Sequence, residues 1–342
     1  MLKSKIHLVK IILVILFLLV AGYFLNKNIG RGEYVNNNID LDSIKKTEDK
    51  KELNLLLVGD IMLDRNIRKK IIENKSPENF VDNFLGNLRE QNKNYDYVVG
   101  NLEGPITDNN TKTYDIHGKY TGLLTFTFST STPEILKLLN IKVVSLANNH
   151  TDNFDNQGFQ DTMRFLGVGN IKYFGNPYNQ NINNKLSNIV CEKEICIAYI
   201  GYNQFTSNND PKMIDDEIKL LKQNEKVDFI VVVPHWGIEY SLTANLTQKR
   251  YAKEWIDAGA DLVVGMHPHV IENSEIYKEK YIYYSLGNYI FDQWFNEDVK
   301  NGLALNFKFT KEVEGDKVIR KVELIKEIKI RSEKDSIKYK KD

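Results

Sequence analysis

Apolar residues in this chain fall into three kinds of run, and each kind predicts a different element. The first kind occurs once: Lys3, Lys5 and Lys10 introduce a charge-free stretch from Ile11 to Leu25 dominated by Leu, Ile, Val and Phe. Counted from Ile6, it approaches the ~20 residues a helix needs to cross the hydrocarbon layer. The basic residues precede the stretch, so the pattern predicts a single-pass anchor over 6–25, with the tip of residues 1–5 in the cytoplasm and the main domain outside the cell membrane. Val20-Ala21-Gly22-Tyr23 matches a signal-peptidase site poorly, so the segment reads as an uncleaved signal anchor in preference to a cleaved signal peptide. Residues 26–52 are polar without a sustained apolar period and read as a linker.

The second kind is short and unbroken, and each example ends in a polar cluster. Leu53–Val58 precedes Gly59-Asp60, Tyr95–Val99 precedes Gly100-Asn101-Leu102-Glu103, and Val143–Ala147 precedes Asn148-Asn149-His150. Phe229–Val233 precedes Pro234-His235, Leu262–Val264 precedes Gly265-Met266-His267-Pro268-His269, and Tyr281–Leu286 precedes Gly287-Asn288. Runs of β-prone residues without polar alternation are what strands buried on both faces look like. Between them, Pro133–Leu139 behind Thr132, Gln157–Leu166, and Thr247–Ala258 before Gly259 carry helical spacing and end signals. Strands alternating with helices predict a layered α/β domain, in which ligands gather beyond the carboxyl ends of the strands.

The third kind begins after Gly287, where apolar and polar residues alternate through Leu303–Phe309 and Val318–Ile330 around a Glu314-Gly315-Asp316 turn. These are expected to be half-exposed antiparallel strands closing the same two-sheet domain, which then runs over 53–332 and leaves 333–342 as a charged, solvated tail. The stretch from Lys112 to Thr132 reads as a loop long enough to form a flap.

Charge changes the picture by exclusion. Lys plus Arg and Asp plus Glu both number 46, so no global field draws the chain to nucleic acid or to an acidic polymer, and any charged ligand must be held locally. The two cysteines, Cys191 and Cys196, flank a predicted hairpin. They read equally as a short-loop disulfide or as two small buried residues in neighbouring strands, and no second Cys or His pair supports metal binding there.

Four of the six histidines, His150, His235, His267 and His269, lie at predicted strand ends. Neutral imidazole and carboxylate suit Zn, Mn or Fe, and Asp60 and Glu103 add anionic oxygen. With the Asn149 oxygen this is an inventory sufficient for one or two divalent metal ions, which in pairs about 3.5–4 Å apart activate water. Taken singly, each residue has a plainer explanation: Asp60 as a helix cap, Asn148-Asn149 as turn formers, a lone histidine as a satisfied core residue. Taken together, chain order and strand-end position agree at once, which the separate explanations do not account for.

The ordered set Gly59-Asp60-Ile61-Met62-Leu63-Asp64-Arg65, Asn101-Leu102-Glu103-Gly104-Pro105, Ser145 to Asp152, Pro234-His235-Trp236-Gly237 and Gly265-Met266-His267-Pro268-His269, trailed by Ser285-Leu286-Gly287-Asn288-Tyr289, resembles the CapA family of the calcineurin-like metallophosphoesterase superfamily. The resemblance covers about residues 53 to 295. It implies a layered αββα sandwich of the metallophosphoesterase type. By position, Asp60 and His269 would serve one metal, Asn149, His235 and His267 the other, and Glu103 would bridge. His150 would protonate a leaving group, and Arg65 would hold an anionic group. The first phosphoesterase motif is Asp-x-His, whereas Met62 stands at the histidine position here, and Glu103 replaces an aspartate. The implied function is capsule biosynthesis or export, with poly-γ-glutamate or a similar anionic polymer, the cytoplasmic membrane and membrane-embedded synthesis proteins as partners. A metal-dependent hydrolase of a phosphoester or envelope-polymer bond, or an inactive polymer-binding scaffold, are the alternatives.

Overall fold

The computed structural model describes residues 49–109, 124–180 and 186–340. The anchor expected over 6–25, residues 26–48 of the linker and residues 112–123 of the expected flap lie outside the described residues. Among the described residues, no helix is long and apolar enough to cross a membrane.

Two sheets form the centre. In the larger, β1 (Asp49–Ile61) is parallel to β2 (Tyr97–Leu102), which continues through β3 (Ile141–Ser145) to β4 (Lys172–Phe174). On its other side β1 is antiparallel to β12 (Asn301–Glu314), followed by β13 (Lys317–Glu333) and β14 (Ser336–Tyr339). The second sheet has the order β5 (Ser187–Glu192), β6 (Ile195–Asn203), β7 (Phe229–His235), β8 (Leu262–Val264), β10 (Lys280–Tyr283), β9 (Ser274–Tyr277), with β6, β7, β8 and β10 parallel. The short β11 (Asn288–Ile290) returns to the first sheet and pairs with the end of β1, Asp60 opposite Asn288.

Side-chain alternation sorts these strands into four layers. Leu53, Leu55 and Leu57 of β1, Tyr97 and Val99 of β2, and Leu305 and Phe307 of β12 face Ile197 and Tyr199 of β6 and Val231 and Val233 of β7, forming the core between the sheets. The intervening residues point outward. Leu56, Val58, Val98 and Val144 pack under α1 (Arg65–Glu73), α2 (Pro77–Phe84), α3 (Gly86–Asn92), α4 (Thr132–Leu138) and α5 (Asp155–Val168). Ala198, Ile200, Ile230 and Val232 pack under α6 (Lys212–Lys222) and α7 (Leu246–Ala258). Helix, sheet, sheet, helix is therefore the order, because strands sandwiched between two apolar layers must be apolar at every position. All of β2 and β7 is buried.

Three expectations are corrected. β1 begins at Asp49, so residues 49–52, assigned to the linker, extend the central strand; the polar residues there are edge positions opposite Thr310–Val313 of β12. Residues 336–339 are not a solvated tail, since β14 pairs with β13 and buries Ile337 and Tyr339 against the outer helices. Tyr339 Oη donates to Asn92 Oδ1 at 2.7 Å, a contact across 247 residues that no local pattern signals. The plainer explanation of Asp60 as a helix cap fails as well, since Asp60 lies inside β1, which leaves the expectation of a ligand role standing. Helices α1–α3 and α6, absent from the sequence reading, bury narrow apolar faces on polar segments. Cys191 and Cys196, opposed across the β5–β6 hairpin, form a disulfide with Cα atoms 4.1 Å apart.

Candidate metal centre

Parallel strands from both sheets end at one pole, and the polar clusters of the sequence meet there. The larger sheet supplies Asp60 from β1, Asn101 and Glu103 from the end of β2, and Asn148, Asn149 and His150 from the loop after β3. The second sheet supplies His235 from the end of β7, and His267 and His269 from the loop after β8. The sheets are stitched together at this pole by close backbone approach. A Cβ on residue 59 would lie 1.8 Å from the Gly287 carbonyl oxygen, and Asp60 N donates to that carbonyl at 3.1 Å, so only glycine permits the contact.

Asp60, Glu103 and His235 offer ligand atoms within 4.8 Å of one another, and all three are buried. His269 joins them, with Nδ1 3.3 Å from Asp60 Oδ2 and Nε2 3.6 Å from Glu103 Oε1. His267 Nδ1 is 3.2 Å from His235 Nε2, and Asn149 Oδ1 is 2.9 Å from the same nitrogen. His150 Nε2 stands 4.0 Å from Glu103 Oε1 and is partly open to solvent. All six side chains singled out as ligands thus converge, with His150 at their margin. Met62 does not join them: its thioether is buried in the outer core, where Sδ accepts from Asp64 N at 3.0 Å.

The donor set fits a divalent cation on one observation above the others. Both carboxylate oxygens of Glu103 are buried and neither has a hydrogen-bond partner among the described residues. An ionised carboxylate in that state costs several kcal/mol unless a cation or a proton compensates it. Burial, then repulsion from Asp60, pushes the Glu103 carboxyl well above the usual carboxylate range, with Arg65 opposing. The imidazoles move the other way. Burial, reinforced by neighbouring histidines, holds His267 down at about 3 and His235 well below its ordinary value, and burial holds His150 down at about 4. Neutral imidazoles beside carboxylates are ready as ligands without first losing a proton.

Hydrogen bonds orient the set. Asn148 Oδ1 accepts from His150 N and Thr151 N, so its Nδ2 donates to Asn101 Oδ1 at 3.0 Å. Asn101 Nδ2 in turn donates to Asp60 Oδ1 at 2.8 Å and faces His235 Nδ1 at 3.2 Å. Asn153 Oδ1 accepts from Phe126 N, so the His150 Nδ1 beside it at 3.1 Å carries the hydrogen, and neutral His150 turns a lone pair at Nε2 toward Glu103. In that tautomer His150 accepts a proton; protonating a leaving group requires that it first take one up. His269 Nδ1 meets Asn288 Oδ1 at 3.1 Å. His267 and His269 adopt φ of 100° and 58°, a left-handed region disfavoured for non-glycine residues, held there by His267 N on Asp60 Oδ2 and Tyr240 N on the Pro268 carbonyl.

Arg65 lies at the mouth, its guanidinium paired with Asp292, and with Phe126 and Phe291 flanking it. Asn101, Asn148, Asn153, Asn288 and Asp292 were not picked out as site residues from the sequence. Asn101, Asn148 and Asn288 sit inside the strand-end motifs and carried a signal there, whereas Asn153 and Asp292 carried none.

Fold and site together define a layered α/β protein with a candidate metal centre across two sheets. Residues 54–293 match the family described as Bacterial capsule synthesis protein PGA_cap, and the chain belongs to that family. Among its relatives, the capsule biosynthesis protein CapA of Bacillus anthracis is 32% identical over 265 residues, 72% of this chain and 62% of that protein. The PGA biosynthesis protein CapA of Bacillus subtilis is 30% identical over 306 residues, 86% and 78% of the two chains. The chain thus spans under two thirds of the length of the first of these. A hypothetical protein from Thermus thermophilus aligns in structure over 80% of this chain and 99% of its own, at 14% identity and a TM-score of 0.45.

Proposed function

We propose that this protein acts in the biosynthesis or export of an anionic capsule polymer, poly-γ-glutamate or one chemically like it, through a metal ion held at the strand-end pole. Membership of the capsule synthesis family supports the process. The observation that carries the metal is Glu103, a buried carboxylate with no hydrogen-bond partner among the described residues, beside Asp60 and His235. In this reading Asp60, Glu103, His235 and His269 would hold one ion, and His267 and Asn149 would serve a second. The ion, Mn, Zn or Fe, supplies Lewis-acid polarisation of a polymer carboxylate or amide. Arg65 pairs with an anionic group, and neutral His150 takes up a proton at Nε2. Residues 6–25 anchor the chain in the cytoplasmic membrane with this domain outside, next to membrane-embedded synthesis proteins.

Metal analysis of the full chain purified in detergent tests this reading: about one equivalent or more of divalent metal is expected, falling strongly in Glu103→Gln and His235→Ala. A protein that binds no Mn, Zn or Fe on titration overturns it. A hydrolytic reading is favoured by the placement of His150 beside Glu103 at the open edge, and aryl phosphate hydrolysis lost in His150→Ala distinguishes it from a binding role.

A further inference from the structure

Arg65 is held in a manner that a guanidinium serving only the fold does not need. Its backbone has a φ of 52°, in the left-handed region. Its Cζ lies 5.2 Å from the centroid of the Phe126 ring and 5.3 Å from that of Phe291. Its Nη2 pairs with Asp292, whose second oxygen accepts from Asn66 N at 3.0 Å and Asn66 Nδ2 at 2.9 Å. Arg65 Nε is buried and has no hydrogen-bond partner among the described residues. The two flanking rings are shared with the metal pole: Phe126 packs at a tilt against His150 with ring centroids 4.2 Å apart, Phe291 likewise against His269 at 4.7 Å, and both histidines lie against Glu103. Arg65, Phe126, His150, Glu103, His269 and Phe291 therefore form a closed circuit of contacts, in which Phe126 and Phe291 also meet edge to face at 6.4 Å, and the circuit links the partly exposed guanidinium to the unpartnered carboxylate.

From this circuit we infer that Asp292 is a specificity-determining residue: by neutralising most of the Arg65 charge while fixing its plane, it removes the preference for a doubly charged phosphate that an unmasked arginine would have, and leaves the seat fit for a single carboxylate. Coulomb attraction to a lone guanidinium grows with ligand charge, so an unmasked arginine would favour the dianion. With Asp292 beside it, what remains for the ligand is directed hydrogen bonding from the guanidinium edge, which serves a monoanion as well as a dianion. The inference rests on the proposed polymer-binding reading and names the group of the polymer that enters.

Benzoate and phenylphosphonate, which has no ester bond to hydrolyse, share an apolar ring and differ by one charge at a pH where the phosphonate is doubly ionised. Their dissociation constants are measured by calorimetry on the full chain in detergent with Mn²⁺ present, for the unaltered protein, Asp292→Asn and Asp292→Glu. Asp292→Asn is expected to shift the ratio of the two constants toward phenylphosphonate by about tenfold or more, and Asp292→Glu to leave it near the original. Arg65→Gln is expected to lose both ligands. An unchanged ratio in Asp292→Asn, or both ligands retained in Arg65→Gln, overturns the inference, including when both constants weaken together as a purely structural role predicts. Metal binding is titrated separately, so a protein that binds Mn²⁺ but neither probe refutes the seat alone, and one that binds no metal refutes the metal reading alone.

Discussion

Asn101 Nδ2 donates to Asp60 Oδ1 at 2.8 Å, so a neutral amide stands beside the buried acid at the head of the candidate metal centre. The amide is itself oriented by Asn148, and this lets Asp60 remain in a fully buried position without a like charge as its hydrogen-bonding partner.

Asn101→Asp is therefore expected to destabilise the metal-free protein by roughly 3–5 kcal/mol, the scale for a buried uncompensated charge. Added metal should recover more stability in this variant than in the unaltered chain. Thermal unfolding with and without Mn²⁺ measures both, and a metal-free melting temperature that does not fall would refute the stated role of the amide.

The raised Glu103 pKa has a definite sign for stability. A carboxyl whose folded pKa lies above its unfolded value of 4.5 contributes fully below pH 4.5, and that contribution is lost as pH rises through the folded pKa. Compared with Glu103→Gln, the metal-free protein should be relatively most stable near pH 4.5 and lose ground steadily above it. Saturating metal should abolish the difference in slope. Urea unfolding of both proteins across this range, with parallel slopes in the absence of metal, would contradict the assignment.

His150 contributes with the opposite sign. Its folded value of about 4 lies below the usual 6.5, so the stability it lends is present above pH 6.5 and is lost as pH falls toward 4. His150→Gln should flatten the acid side of the stability profile between those limits. The same unfolding series reads this out directly, and a profile that keeps its acid slope argues against a buried neutral imidazole.

The Cys191–Cys196 disulfide closes a short loop, five residues in sequence, at the hairpin end of β5 and β6. Chain entropy for so short a loop amounts to about 2 kcal/mol. The double serine variant should lose that much stability and keep its metal affinity, because the hairpin is at the opposite end of β6 from Asn203, which pairs with His235 of β7. Metal titration of the variant decides whether the two are independent.

Deleting residues 334–342 should cost more than a solvated tail would. Ile337 and Tyr339 are buried, and Tyr339 Oη, Asn92 Oδ1 and Tyr289 Oη form one buried cluster. A loss of roughly 3 kcal/mol or more, read by urea unfolding, is expected from the two side chains. Since Tyr289 follows Asn288, which meets His269, metal affinity should weaken as well.

Much of this architecture was legible because burial on both faces leaves a local trace. Unbroken runs such as Phe229–Val233 name central strands, and polar residues at their ends name the pole where a ligand binds. The helices α1–α3 were not legible for the complementary reason. Segments such as Arg65–Glu73 bury only Ile67 and Ile71 of nine residues, and two apolar positions do not make a readable period. Likewise the first strand reaches back to Asp49 because β12 pairs with it there, which polar residues alone do not announce.

The succession of central strands, the layering of apolar faces and the choice of histidines and carboxylates as chemistry are all written in the chain, since alternation and run length are properties of neighbouring residues. Which of those side chains touch is not. Arg65 meets Asp292 across 227 residues, Phe126 and Phe291 flank it from two separate loops, and His150 acquires its tautomer from Asn153 and Phe126. Loop paths are set by long-range closure of the two sheets, as at Gly59 against Gly287, and only the assembled pole determines which lone pairs and charges face one another.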